Sequence, residues 1–184
     1  MGQSKAALEL DGRSFLARCV SLARAALGQR AEVFVVEGAH PLQALIDTRA
    51  RPTVVRNSTW EDGPLSSLQC ALAHPRAGAR SCLVLSVDRP HISQQTLTAL
   101  VEAHRLEPTR IWQPSFGGRR GHPIIWPADL VDELRRLPRN SSPRELMGRD
   151  EVSARRAFVE VDDPAILDNI DDPRAYARLR GLTS

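Results

Sequence analysis

Asp88 ends an apolar run, Ser81 to Val87, and Arg89-Pro90 follow it with turn chemistry. That position lies beyond the carboxyl end of a buried strand, where open α/β sheets collect their ligands. The alternative is an Asp that caps the helix after Pro90, because Asp is also a common turn residue. A second acidic group, Leu167-Asp168-Asn169-Ile170-Asp171-Asp172-Pro173, precedes the last helical segment and taken alone reads as an N-cap cluster. Two hard carboxylates brought from distant loops suit Mg²⁺, which takes few protein oxygens and fills its shell with water and substrate phosphates.

Lys5 is the sole lysine among 25 Lys and Arg residues. In a chain so biased towards arginine, the one lysine kept either marks a place needing a compact ammonium rather than a planar guanidinium or is retained by chance. The turn Gly117-Gly118-Arg119-Arg120-Gly121-His122-Pro123 combines flexible backbone with two guanidinium groups. It can hold an anionic substrate, or it is an ordinary glycine-rich hairpin. The histidines His40, His74, His91, His104 and His122 show no zinc spacing. With no Gly-x-Ser-x-Gly elbow and no Walker lysine motif, an acyl-transfer triad and a P-loop enzyme have no support.

Apolar residues from Phe15 to Leu27 recur at helical spacing, with Ser14 as N-cap and Gly28 as stop. Glu32 to Val36 and Thr53 to Val55 read as strands separated by a helix-like His40 to Arg49, and Pro64 to His74 reads as helix. Ser81 to Val87 is the expected central strand, buried on both faces. Ser93 caps a further helix, Arg110 to Gln113 and Pro123 to Trp126 read as strands, and Pro127 opens another helix. Ala157 to Val161 and a helix from Pro173 to about Arg180 close the chain. This alternation predicts one three-layer α/β domain over residues 1–184.

At 184 residues and 42% hydrophobic content the chain can bury a real core, and no apolar run approaches the length of a membrane span. The formal charge of +3 is dispersed among acidic residues, so neither a nucleic-acid arm nor a membrane surface patch is expected. Cys19, Cys70 and Cys82 read as free buried thiols of a reducing compartment, and with no secretory segment or acylation motif the expected location is cytoplasmic.

Taken in order, Met1-Gly2-x-x-Lys5, Asn57-x-x-Trp60-Glu61-x-Gly63-x-x-Ser66-Ser67-Leu68, Leu85-x-Val87-Asp88-x-Pro90-His91, Gly121-His122-Pro123 and Asn169-Ile170-Asp171-Asp172-Pro173 resemble the MobA-like nucleotidyltransferase family. The resemblance is nearest to its molybdenum cofactor cytidylyltransferase branch. It implies a Rossmann-like mixed, mostly parallel sheet and Mg²⁺-dependent transfer of a nucleoside monophosphate from an NTP, CTP favoured, to a molybdopterin-type acceptor. Pyrophosphate would leave. Gly2, Lys5, Asn57, Gly63 and Ser67 would then contact the nucleotide, Lys5 and Asp88 would be catalytic, and Asp88 and Asp171 would hold the metal. Arg119, Gly121, His122 and Pro123 would face the acceptor.

A molybdoenzyme maturation partner is also open on this reading, as are a sugar-phosphate acceptor and an inactive, cofactor-binding family member. A dinucleotide binder is disfavoured, because no Gly-x-Gly-x-x-Gly follows an early strand. Family members begin with a strand and a Leu-Ala-Gly-Gly-x-Ser-x-Arg loop before the Met-Gly-x-x-Lys motif with which this chain starts. The expectation is a first strand absent from this chain, with the true start lying upstream. Ala71 and Asp172 stand where the family often has Gly and Thr.

Overall fold

The computed structural model describes residues 4–47 and 49–181. Lys5–Ala7 forms a short 3-10 turn, and a hairpin of β1 (Glu9–Leu10) and β2 (Arg13–Ser14) leads into α1 (Phe15–Leu27). Ser14 caps α1 as its type predicts, its hydroxyl accepting from the Ala17 N–H at 3.1 Å, and Gly28 ends the helix at φ 82°. Phe15, Leu16, Cys19, Val20 and Ala23 are buried, which is the face that the apolar spacing marked.

β3 (Phe34–Glu37) and β4 (Thr53–Arg56) pair in parallel, and α2 (Pro64–Leu72) follows with proline in its first turn. The expected helix at His40 to Arg49 is not formed. Gln43–Leu45 makes a single 3-10 turn, anchored by the Leu42 N–H donating to Glu37 Oε2 at 2.9 Å. Leu42, Leu45 and Ile46 lean on the cluster of Ala6, Leu16, Val20 and Val35. One short turn satisfies the same three- and four-residue spacing that a helix would, so periodicity alone cannot separate them.

β5 (Cys82–Val84) leads, through the loop bearing Asp88, to α3 (Gln94–Leu106), where the Ser93 hydroxyl accepts from the Thr96 N–H. β6 (Ile111–Phe116), β7 (Arg119–Arg120) and β8 (Ile124–Trp126) fold back antiparallel across a turn in which Gly117 and Gly118 take φ of 54° and 73°. α4 (Ala128–Arg136), α5 (Pro143–Met147) and α6 (Asp150–Ser153) lead to β9 (Arg156–Glu160), which runs parallel to β6, and α7 (Pro173–Gly181) is the last element among the described residues.

The result is an α/β fold with mixed strands. One sheet runs β5-β8-β6-β7 with β9 also on β6, and β3-β4 stands as a separate pair. The expected central strand therefore has β8 on one edge only. The largest core packs α4 against β6, β8 and α2 through Ile111, Trp126, Leu130 and Leu134, all nearly inaccessible. Cys19 is buried, whereas Cys70 and Cys82 are only half-buried, correcting the expectation of three buried thiols. Burial raises the Cys19 thiol to about 12 and the Cys82 thiol to about 11, so both stay protonated at neutral pH.

Candidate active site

Two loops far apart in sequence are sewn together by main chain: the Ile170 N–H donates to the Asp88 carbonyl at 2.9 Å. That bond places the Asp88 and Asp171 loops side by side. Lys5 joins them, its Nζ lying 2.5 Å from Asp171 Oδ1, while the Asn169 amide donates to Asp171 Oδ2. Lys5 is on the 3-10 turn whose next residue, Ala6, is buried in the cluster of Leu16, Val20 and Val35 against which Val87 also packs, and this anchors the turn near the acidic loop.

Asp88 is half-buried and its carboxylate takes Arg89 Nη1 at 3.1 Å. Each candidate metal-binding carboxylate thus holds a basic side chain as counter-ion. Among the described residues no three His, Cys, Asp or Glu side chains come close enough to enclose a cation. The donor set is two carboxylates on adjoining loops, which fits a hard divalent ion that draws its other ligands from water and phosphate. It does not fit zinc, which wants three or four protein donors of nitrogen or sulfur.

The glycine-rich turn reaches the same region. Burial lowers the His122 pKa, Arg89 adding to the effect while Asp88 opposes it, which puts the imidazole within electrostatic reach of the Asp88–Arg89 pair. Gly121 is held against Pro164–Leu167: the His122 N–H donates to the Ile166 carbonyl at 3.0 Å, and a Cβ on Gly121 would overlap that oxygen. Only glycine allows this approach. The His122-Pro123 peptide is cis. Arg119 lies further out, on the wall of a shallow cleft of about 410 Å³ shared with Phe116, Leu167 and Asp168. Asp168 in turn faces His91 Nε2 at 3.5 Å.

Asn57 is buried just past the end of β4 and both polar atoms of its side chain are engaged within the chain. Its amide donates to the Ser66 and Ser67 hydroxyls at 2.9 and 3.0 Å, and its carbonyl oxygen accepts from the Thr59 N–H. It ties the start of α2 to the strand. Gly63 caps that helix at φ 94°, a conformation that favours glycine. Gly2 lies outside the described residues.

Two basic residues escaped the sequence reading. Arg89 occupies an unspecified position of the Asp88 segment, yet it pairs with that carboxylate, and its buried Nε has no partner among the described residues. Arg144, on α5, lies within electrostatic reach of His122. Adjacency to Asp88 was a usable signal for Arg89; nothing local marks Arg144.

Comparison with known proteins then assigns the family. The family model described as the MobA-like NTP transferase domain matches residues 1–155. The chain belongs to that family. Solved structures agree in fold. Rv0371C of Mycobacterium tuberculosis H37Rv in complex with manganese is 23% identical, with a TM-score of 0.72 over 96% of this chain and 91% of that one. CMP:2-keto-3-deoxy-manno-octonic acid synthetase complexed with CTP is 14% identical, with a TM-score of 0.70 over 97% and 91%. Molybdopterin-guanine dinucleotide biosynthesis protein A of Archaeoglobus fulgidus is 16% identical, with a TM-score of 0.63 over 99% and 91%. No functionally curated protein matches. Family membership supports NTP-dependent nucleotidyl transfer, and no helix among the described residues is long and apolar enough to cross a membrane.

Proposed function

We propose that this chain transfers a nucleoside monophosphate from an NTP, with CTP favoured, to a phosphorylated acceptor of the molybdopterin type. An acceptor phosphate oxygen forms a bond to the α-phosphorus, the bond from that phosphorus to the bridging oxygen breaks, and pyrophosphate leaves. The observation that carries this reading is the main-chain bond from Ile170 to Asp88, which juxtaposes two carboxylate loops and Lys5. The family and the molybdopterin-guanine dinucleotide protein support the acceptor class. The CTP-complexed neighbour supports a cytidine nucleotide.

Asp88 and Asp171 would hold Mg²⁺, whose charge neutralises the phosphates; a manganese-complexed neighbour fits a divalent ion of this kind. Lys5 neutralises phosphate charge, and Arg89 offers a second cation beside it. Gly121, His122 and Pro123 form the acceptor wall, and Arg119 at the outer cleft receives the far end of an anionic acceptor. A phosphate nucleophile is already ionised at neutral pH, so the work of the site is alignment and charge neutralisation rather than proton removal.

The test is pyrophosphate release from CTP, GTP and ATP with Mg²⁺ or Mn²⁺ and molybdopterin cofactor. CTP should give the fastest release, and Asp88→Asn or Asp171→Asn should lower turnover by roughly two orders of magnitude or more with the fold intact. Near-normal turnover of either variant at limiting metal would remove the metal assignment. Release that does not depend on the acceptor would remove the molybdopterin reading.

A further inference from the structure

β9 pairs with β6 along one side only. The Ile111 N–H donates to the Arg155 carbonyl and the Val161 N–H to the Ser115 carbonyl, which fixes the phase of that parallel ladder. Residues 155, 157, 159 and 161 spend their main-chain polar groups on β6, so Arg156, Phe158 and Glu160 turn theirs outward. Among the described residues no backbone hydrogen bond reaches this outer row. Such a row is a template for another strand, and proteins protect it with charge, proline or a bulge. β9 has two charged residues, no proline and no break in register, and at its centre stands Phe158, 39% exposed.

The side chains of Arg156, Phe158 and Glu160 share one face of the strand. The guanidinium of Arg120 lies 4.5 Å from the Phe158 ring centre and that of Arg156 lies 5.5 Å from it. Arg156 donates through Nε and Nη2 to Gln113 Oε1, a neutral acceptor, and no salt bridge among the described residues includes it. Burial, and then the charge of Arg120, lower its pKa below the ordinary value, as expected of a cation with no anion beside it. Glu160 accepts from the Ser115 hydroxyl and from the Gly117 N–H, and a carboxylate with two such bonds keeps acceptor capacity on both oxygens. Within one chain the two charges stand about 13 Å apart along the strand, too far to pair.

Two copies of this row laid antiparallel about Phe158 are complementary. Arg156 of each copy falls opposite Glu160 of the other, and Phe158 falls opposite itself, an aromatic pair at the centre. On the other face Ala157 falls opposite Val159, both apolar and both packed beside α3. Every outward residue then exchanges its N–H and C=O with the residue it faces. Other alignments lose this match. Parallel pairing in register sets Arg156 against Arg156 and Glu160 against Glu160, and an antiparallel shift of two residues sets Phe158 against Glu160. The complementary alignment has a two-fold axis through Phe158, the closed symmetry of an isologous contact.

We propose that β9 is a self-association edge, at which two copies of this chain pair antiparallel about Phe158 with Arg156 of each opposite Glu160 of the other. Because Glu160 also accepts from the Gly117 N–H, the pairing steadies the turn that carries Arg119.

Sedimentation equilibrium from about 1 to 500 μM should show monomers passing into dimers, and across that range exchange at the Phe158 amide should slow by roughly tenfold or more while exchange at Val35 stays the same. A chain that stays monomeric throughout, or a Phe158 amide whose exchange ignores concentration, overturns the proposal. The register has its own test. Arg156→Glu sets glutamates opposite one another and Glu160→Arg sets arginines opposite one another, so each variant alone should associate at least about tenfold more weakly than the unmodified chain. Mixed in equal amounts, the two variants should form a heterodimer, because every charged pair is then complementary. Absence of that heterodimer, with both variants shown folded by circular dichroism, overturns the proposal. If either variant does not fold, Phe158→Pro takes its place: it removes the outward N–H and leaves the β6 ladder intact, so a dimer of unchanged strength would overturn the proposal. A monomer whose Phe158 amide is protected only by an added strand-forming peptide overturns it as well and gives the edge to a different chain.

Discussion

Both candidate metal carboxylates are occupied by cations of the chain itself, Asp88 by Arg89 and Asp171 by Lys5. On the proposed function a divalent ion would displace these pairs, and the triphosphate would give the displaced cations a new anion. Lys5→Arg keeps the charge but replaces a point donor on a flexible stem with a wider planar fork. On the proposed function its turnover should fall at least about tenfold with folding unchanged; full activity in steady-state pyrophosphate release would make Lys5 a solvated charge. The histidines give a second residue-scale expectation. Burial lowers the pKa of His91, His104 and His122 below the ordinary 6.5. A group held neutral in the fold takes up protons more readily when unfolded. Stability is therefore full above about 6.5 and declines as pH falls through the window between that value and each lowered pKa. Denaturation midpoints measured from pH 7 to pH 5 should fall, and His104→Gln, away from the carboxylates, should flatten the slope; a flat wild-type profile would contradict the sign. At this scale Asp88, Asp171 and Lys5 were legible because an abrupt carboxylate after an apolar run and a solitary lysine stand out from their neighbours. Arg89 was not, since one arginine among so many carries no contrast.

At the scale of elements, the closing loop does the positioning through Asp163. This buried side chain accepts from the Ser93 N–H at 2.8 Å, the Thr96 hydroxyl at 2.6 Å and the Ala165 N–H at 3.2 Å. It joins the start of α3 to the Pro164–Leu167 turn on which Gly121 rests. Asp163→Ala leaves buried donors without acceptors and should cost about 2 to 4 kcal/mol in urea unfolding; a loss below about 1 kcal/mol would show that water or a neighbour replaces the carboxylate. Gly121→Ala acts on the other side of the same contact. Its methyl would overlap the Ile166 carbonyl, so the turn must move, and His122 with it. Helices with caps and repeated apolar faces were legible, α1 at both ends and α3 at its Ser93 cap. The Gln43–Leu45 turn was misread because its apolar spacing is shared by a longer helix, and the decisive contact, Glu37 to Leu42, is a side chain reaching back to main chain.

Across the whole molecule, the described residues form the small β1–β2 hairpin and two larger strand systems, with no ladder between any of them. β6 sits between β8 and β9 and packs into the core of Ile111, Trp126 and Leu134, whereas β3 has β4 on one side and a cavity of about 670 Å³ on the other. The alternation of strands and helices in the sequence made the α/β layering legible. It could not show that the apolar run at Ser81 to Val87 faces a cavity, because burial by a strand and burial beside a gap select the same residues. Their energetic consequence differs. Separating β3–β4 breaks no ladder to the other sheet and opens only helix contacts, while separating β6 breaks pairing on both edges and the largest core. Cooperative units in a protein open at different free energies, set by how much buried surface and pairing each holds. Native-state hydrogen exchange in low urea should therefore find Val35 and Val55 exchanging through an opening smaller in free energy and in urea dependence than that of Trp112 and Val159. If all four amides exchanged only through one global opening, α1 and α2 alone would couple the two strand systems as tightly as a continuous sheet does.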